Sequence, residues 1–372
     1  MASRATTSYD GSYSFWGDGG SEWHHRGVTA SDEDIDRAAA LLVEGGLVAF
    51  PTETVYGLGA DASNQVAVAR VFAVKGRPAD HPLIVHLADA AGLDQWAAAV
   101  PTEARLLADA FWPGPITLLL ERGPAALDEV TGGRSTIGLR VPDHPVARAL
   151  LRNFSARRGG RPAGIAAPSA NRFGRVSPTS AAHVAADLGD DVDAILDGGS
   201  SVIGVESTIV DCTGPEPLVL RLGGVSVERL SDVLGYAPGL AVDTPTDGRT
   251  GVNEPTVGAR APGMLEVHYA PQARVDVVEP VALAVARVAE LLAEGQRVAV
   301  LAPTVVDGLH PDAIELEPAG TAEDYARVLY DRLRQVDRLG ADVVVVVPPP
   351  PGGLGDAVRD RLRRAAAAHQ PR

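Results

Sequence analysis

Chemistry-bearing side chains gather in short clusters separated by apolar runs. The first cluster, Pro51-Thr52-Glu53-Thr54-Val55-Tyr56-Gly57, follows the apolar run Leu47–Phe50. Proline has no N–H for a strand ladder, and Gly57 and Gly59 open backbone conformations that other residues resist. Hydroxyls, a carboxylate and a phenol therefore crowd the end of a buried strand, either as a ligand-holding loop or as a polar turn. Lys75-Gly76-Arg77-Pro78 comes next. Residues two apart in an extended segment face one side, so Lys75 and Arg77 can meet one anion together. The alternative is two solvated bases after a helix. Arg140 closes the β-like run Thr136–Val141, and its planar fork suits a carboxylate or an ordinary strand-edge ion pair. Arg221 lies in the apolar run Val219–Gly223. A charge there needs a partner such as phosphate, or snorkels past the strand end. His81 and His86 have a spacing that fits no helical zinc signature.

These clusters must be positioned by α/β elements. Ser31 is an N-cap, Asp32, Glu33 and Asp34 complement the helix dipole, and Ile35, Ala38, Ala39 and Leu42 make an apolar face that Gly45 ends. Helices are expected at Gln65–Val74 and Thr102–Ala110. Strands are expected at Leu47–Phe50, Ile116–Leu120, Ile137–Val141, Ile165–Ala167, Ala194–Leu196 and Thr208–Asp211. Arg157–Pro162 reads as an exposed loop insertion. Further on, strands Val275–Val278, Val298–Leu301 and Val343–Val347 alternate with helices Ala282–Ala293, Ala322–Leu339 and Gly355–Ala368. That alternation is the signature of a parallel sheet, Rossmann-like in the broad sense. The fold class expected is α/β: a larger first domain on an open, twisted mixed sheet, and a smaller parallel α/β C-terminal domain. The boundaries are a flexible extension over 1–27, the first domain over 28–237, a Pro/Thr/Gly-rich linker or lid over 238–273, and the C-terminal domain over 274–372.

Gly57-Leu-Gly59-Ala-Asp-Ala62 matches a dinucleotide fingerprint by letters. The fingerprint needs its glycines directly between strand and helix, whereas Pro51–Tyr56 intervenes here. A second glycine cluster, Gly352-Gly353-Leu354-Gly355, reads as a plain strand-to-helix turn, with a phosphate site as the alternative.

The chain has 372 residues and a net charge of −15, with 45% hydrophobic and 22% charged residues. That length accommodates two ordinary cores, and the charge argues against nonspecific nucleic-acid binding, which needs a broad basic face. One cysteine, Cys212, excludes disulfides within the chain and cysteine-rich zinc sites, and reads as a small core residue. No apolar run approaches a membrane span and the N-terminus lacks a signal-peptide core. A cytoplasmic protein is the expectation.

In their order, the clusters Pro51–Gly57, Lys75–Pro78, His81–His86, Trp112–Pro115, Thr136–Pro142, Ala167–Asn171 and Glu206–Thr208 resemble the threonylcarbamoyl-AMP synthase family. The resemblance runs from Ser31 to Arg221. A looser one over Arg274–Ala368 is similar to the extra domain of the family's long form. It implies a nucleotidyltransferase that joins L-threonine, bicarbonate and ATP and releases pyrophosphate. The product would feed threonylcarbamoylation of tRNA adenosine beside the anticodon, through downstream transfer proteins. The resemblance assigns Lys75, Arg77, Ser169 and Asn171 as catalytic groups around the phosphates. Arg77, His81, Thr136, Ser169, Ser177 and Arg221 would contact ATP, joined by His268 and Tyr269 from a lid segment, Pro262–Pro271. Thr54, His86, Arg140, Ala167 and Ser207 would hold threonine. Mg2+ is expected on the ATP phosphates, with no protein-built metal site. Two alternatives stand beside this reading. A carbamoyl-adenylate-forming carbamoyltransferase shares the fold but carries cysteine-rich zinc modules, and a nonenzymatic RNA-binding module would use the concave face.

Overall fold

The structure, a computed structural model, describes residues 30–241 and 269–369. The first sheet comprises β1 (Val48–Phe50), β2 (Gly57–Asp61), β3 (Ile84–His86), β4 (Ile116–Glu121), β5 (Thr136–Arg140), β6 (Ile165–Ala166), β7 (Ala194–Ile195), β8 (Thr208–Asp211), β9 (Leu218–Arg221) and β10 (Gly239–Leu240). Its spatial order is β10-β9-β8-β4-β5-β3-β6-β2-β1-β7. The sheet is mixed: β3 runs parallel to β5 and β4 to β8, while β4 and β5 are antiparallel. The second sheet comprises β11 (Arg274–Val277), β12 (Val298–Leu301), β13 (Ile314–Glu315) and β14 (Val343–Val346). It is parallel throughout, in the order β11-β14-β12-β13. The expected fold class is therefore the observed one.

Local signals explain the frame. Ser31 caps helix Asp32–Val43 in a reciprocal capping box with Asp34. Ile35, Ala38, Ala39 and Leu42 of that helix pack with Val48 and Phe50 and with helix Pro145–Arg157 on one face of the sheet. Leu47, Ala49 and Leu58 belong to the core on the other face, where helix Gln65–Lys75 packs beside β2 and helix Thr102–Phe111 packs further along the sheet, beside β4. Successive strand residues alternate sides, so both faces of β1 are apolar and both are covered. Each fully buried Leu or Phe contributes roughly 1.5–3 kcal/mol of transfer free energy.

Several elements depart from the sequence reading. Gly57–Asp61 is a fully buried strand, not a loop. Burial on both faces removes the alternation that would have marked it. A Cβ on Gly59 would lie 2.7 Å from Ile165 Cγ2 and 2.9 Å from Phe50 Cε1, so this glycine serves close packing. Helices Pro145–Arg157, Ala181–Leu188 and Val227–Leu234 were not among the expected elements. Gly239–Leu240 adds a short parallel strand beside β9, inside the segment read as linker. Two residues carry no period to detect. Gly352 donates its N–H to Asp356 Oδ1 at 2.9 Å, so an acid already occupies the turn that opens helix Leu354–Ala367. The extension 1–27, most of the linker and His268 lie outside the described residues.

Candidate active site

The polar clusters converge at the ends of the central strands. β1 delivers the loop 51–56, where Thr52 Oγ1 contacts Thr54 Oγ1 at 2.8 Å and donates to the Val55 carbonyl at 2.6 Å. Helix Gln65–Lys75 stops at Gly76, whose left-handed φ of 63° turns the chain toward Arg77. His86 and Arg140 are register partners on the parallel strands β3 and β5. β6 leads into the turn 167–171, and β8 and β9 bring Ser207 and Arg221. One cleft is lined by Thr54, Arg77, His86, Arg140, Ala167, Ser169, Ser207, Arg221 and Tyr269. Nine of the expected site residues thus share a concavity, although they span most of the first domain and reach the end of the linker.

Three arginines give this cleft its character. Arg77 donates from Nη2 to the Pro82 carbonyl at 3.0 Å, while its buried Nε has no partner. Burial lowers its pKa to about 10, with Arg221 adding like-charge repulsion, so it stays cationic at neutral pH. Arg221 clasps the Ser207 carbonyl from Nε at 3.0 Å and Nη2 at 2.9 Å. Arg140 Nη2 pairs with Glu53 Oε1 at 2.6 Å, and both side chains are 5% exposed. Arg140 Nε also reaches the Gly114 carbonyl at 3.3 Å, which is the contribution of the Trp112–Pro115 turn. The ion-pair alternative for Arg140 is therefore real, and Nη1 remains for a ligand among the described residues. His86 meets Phe50 edge-on at 5.9 Å, and its buried Nδ1 has no partner. Burial, then the Arg140 charge, pushes its pKa to about 3, so it is neutral at pH 7.

Other expected site residues stand elsewhere. Lys75 does not face the cleft: its ammonium, 2% exposed, donates to the Ser169 and Asn171 carbonyls at 2.5 Å each. It braces the turn from behind because a buried ammonium needs acceptors and those carbonyls are the nearest ones. Asn171 turns its amide onto the Arg172 and Arg175 carbonyls at 2.7 and 2.9 Å, in the same bracing role. Ser177 is buried and donates to Glu206 Oε1 at 2.7 Å. His81 packs against Phe173 with ring centroids 5.5 Å apart, outside the cleft lining. Thr136 opens β5 at the end opposite Arg140; four residue steps separate them, about 13 Å at strand rise. Sequence reasoning placed Glu53 and Glu206 in motif clusters without a partner for either, and did not single out Tyr330 or Arg361 of the C-terminal domain. Arg361 lies on helix Leu354–Ala367 next to the buried Asp360 and is itself 1% exposed.

Fold and cleft together define a two-domain α/β protein with a cleft lined by three arginines. Residues 40–223 match the family model described as "Telomere recombination", and 225–367 match "Threonylcarbamoyl-AMP synthase, C-terminal domain". A Pyrococcus abyssi protein named threonylcarbamoyl-AMP synthase is 44% identical over 88% of this chain and 93% of its own length. A Bacillus subtilis protein of the same name is 41% identical over 91% of this chain and 94% of its own. The solved structure of P. abyssi Sua5 complexed with L-threonine aligns with a TM-score of 0.81 and 41% identity, over 91% of this chain and 95% of that one. The chain belongs to the threonylcarbamoyl-AMP synthase family.

Proposed function

We propose that this chain is a nucleotidyltransferase that makes L-threonylcarbamoyl-AMP from L-threonine, bicarbonate and ATP, releasing pyrophosphate, for tRNA modification beside the anticodon. The observation that carries this reading is one cleft holding Arg77 and Arg221 together with Arg140, His86 and Thr54. A relative of the same two-domain length has been solved with L-threonine, which supports an amino-acid subsite here.

In this reading Arg140 Nη1 takes the threonine carboxylate, and Glu53 holds the guanidinium in plane. Thr54, neutral His86 and Ser207 face the substrate's polar groups, beside the small Ala167. The threonine amine and bicarbonate give a carbamate and water. A carbamate oxygen attacks the α-phosphorus, and the bond to pyrophosphate breaks. Every reactant is anionic, so Arg77, Arg221 and the Ser169 turn offset charge that grows in the transition state. Lys75 and Asn171 hold that turn, a positioning role in place of direct phosphate contact. Tyr269 borders the phosphate side; His81, Thr136, Ser177 and His268 are secondary candidates that a bound nucleotide would have to recruit.

Mg2+ would arrive on the ATP phosphates. Among the described residues no three His, Cys, Asp or Glu side chains gather to hold a metal. The cleft-side carboxylates are committed to protein donors: Glu53 to Arg140 and Asp143, Glu206 to Ser177, Tyr330 and Arg361. Among the described residues no helix is long and apolar enough to cross a membrane. We place the protein in the cytoplasm, passing its labile anhydride to a tRNA-transfer protein.

Chromatography of a reaction with ATP, threonine and bicarbonate tests the proposal, with each substrate omitted in turn. An AMP-linked product that needs all three, with pyrophosphate, supports it. No product with threonine and bicarbonate, but AMP-linked product from ATP and carbamoyl phosphate, would transfer the assignment to the carbamoyltransferase chemistry. Tight, salt-dependent RNA binding without turnover would transfer it to an RNA-binding module.

A further inference from the structure

We propose that the C-terminal domain completes the catalytic cleft from behind, with Arg361 and Tyr330 as positioning residues that hold Glu206 and Tyr269 in its wall. The inference rests on the proposed synthase activity and assigns the second domain a task within it.

The first observation is the environment of Glu206. Its side chain lines the cleft, yet its carboxylate is held from the second domain. Arg361 Nε donates to Oε2 at 2.8 Å, and the Tyr330 hydroxyl lies 2.9 Å from Oε2 and 3.1 Å from Oε1. Arg361 Nη2 reaches further into the first domain, to the Leu222 carbonyl at 2.9 Å. Nη1 is tied to Asp360 at 2.6 Å, so the fork is fixed at every corner. A bare carboxylate beside ATP would repel the phosphates. Burial alone would raise the Glu206 pKa; the Arg361 and Arg221 charges and hydrogen bonds from Arg361 and Ser177 outweigh it and hold it at about 2. Glu206 is thus an ionised but neutralised wall element, and Arg361 is the foremost neutralising group.

The second observation concerns Tyr269, which borders the same cleft. Its φ of 66° is left-handed, and it is the one non-glycine with positive φ among the described residues. Such a conformation persists for a bulky residue only where its surroundings over-determine it. Here the ring stacks on Tyr330 with centroids 5.8 Å apart, and the Arg361 guanidinium lies 5.0 Å from its centre. Both contacts come from the C-terminal domain.

The third observation is packing. Val55, Val176 and Val205 neighbour Thr54, Ser177 and Glu206, and all three valines belong to the apolar core built by Leu329, Tyr330 and Leu333 of helix Ala322–Arg338. A Cβ on Gly204 would lie 2.3 Å from the Ala326 carbonyl, so helix and loop meet backbone to backbone. Arg334 adds a two-point ion pair to Asp187, at 2.9 and 2.6 Å, and a bond to the Val176 carbonyl at 2.5 Å. The cleft loops therefore fold into the second domain's core as well as into their own.

The test uses the full chain, following pyrophosphate release while ATP and threonine are varied separately. Arg361→Met keeps the stem and leaves Glu206 without its main counter-charge. We expect the KM for ATP to rise about tenfold or more, with the KM for threonine within about twofold. Adding Glu206→Gln removes the uncompensated charge and should bring the ATP KM down at least about threefold relative to Arg361→Met. Tyr330→Phe, the milder change, should raise the ATP KM about threefold and serves if Arg361→Met does not fold. An ATP KM unmoved in Arg361→Met or in Tyr330→Phe, or a double variant no better than Arg361→Met, overturns the inference. An unmodified chain that forms no product overturns the synthase reading instead.

Discussion

Arg140→Lys separates the two duties assigned to Arg140. The guanidinium spends Nη2 on Glu53 at 2.6 Å and Nε on the Gly114 carbonyl at 3.3 Å, which leaves Nη1 for the threonine carboxylate. A lysine ammonium retains the charge, and so retains the pairing with Glu53. It has no planar fork and cannot hold Glu53 and a substrate carboxylate along fixed, divergent directions. The loss is one charge-assisted hydrogen bond, about 1.5–3 kcal/mol. At 1.4 kcal/mol per factor of ten, that is roughly 10- to 100-fold in threonine KM. Thermal stability should change little, because neither charge is left buried alone. Arg140→Ala would instead strand Glu53 at a cost of about 3–5 kcal/mol and confuse folding with binding. The assay is pyrophosphate release at saturating ATP and bicarbonate with threonine varied, beside a melting curve. A normal threonine KM with a raised ATP KM would refute the reasoning and move Arg140 to the nucleotide side. Normal kinetics throughout would reduce it to a structural ion pair.

Further outcomes follow from single residues. His86 has its pKa lowered from 6.5 to about 3. As pH falls through this window the unfolded chain takes up the proton first, so stability is lost from about pH 6.5 downward. The share due to His86 is about 2 kcal/mol at about pH 5. Urea denaturation of the native chain and His86→Asn at pH 7 and about pH 5 should differ by that amount; equal losses would refute the assignment, and the subtraction removes the similar trend of His144. Gly59→Ala forces a methyl against Ile165, Phe50 and the Val48 carbonyl, and should destabilise by about 1–3 kcal/mol in denaturant. An unaffected midpoint would show that the strand can shift. Cys212 is buried and burial pushes its thiol up to about 12. It should resist a thiol reagent in the native chain and react fully in urea; rapid native labelling would contradict a core role.

The local elements were legible where one residue type dictates one local geometry. Ser31 with Asp34 marks a helix start, and the apolar runs Thr208–Asp211 and Val298–Leu301 became strands with the same limits. Gly57–Asp61 was not legible, because a glycine-rich strand buried on both faces shows no alternation. The motif order was also sufficient to point to the family, since each cluster is short and its neighbours constrain it.

What the sequence determined by itself was the list of groups able to hold anions and the α/β frame that carries them. Those follow from residue type, proline and glycine geometry, and period, all of which are local. What the tertiary structure decided was which groups line the cleft and which stand behind it. Lys75 and Arg77 are two residues apart, yet Lys75 binds two carbonyls behind the turn while Arg77 lines the cleft. Arg361 lies 155 residues from Glu206 and is nevertheless its closest cationic partner. A charge in a chain carries no record of its counter-charge. The folded backbone, by excluding water and bringing distant acceptors within reach, makes that choice.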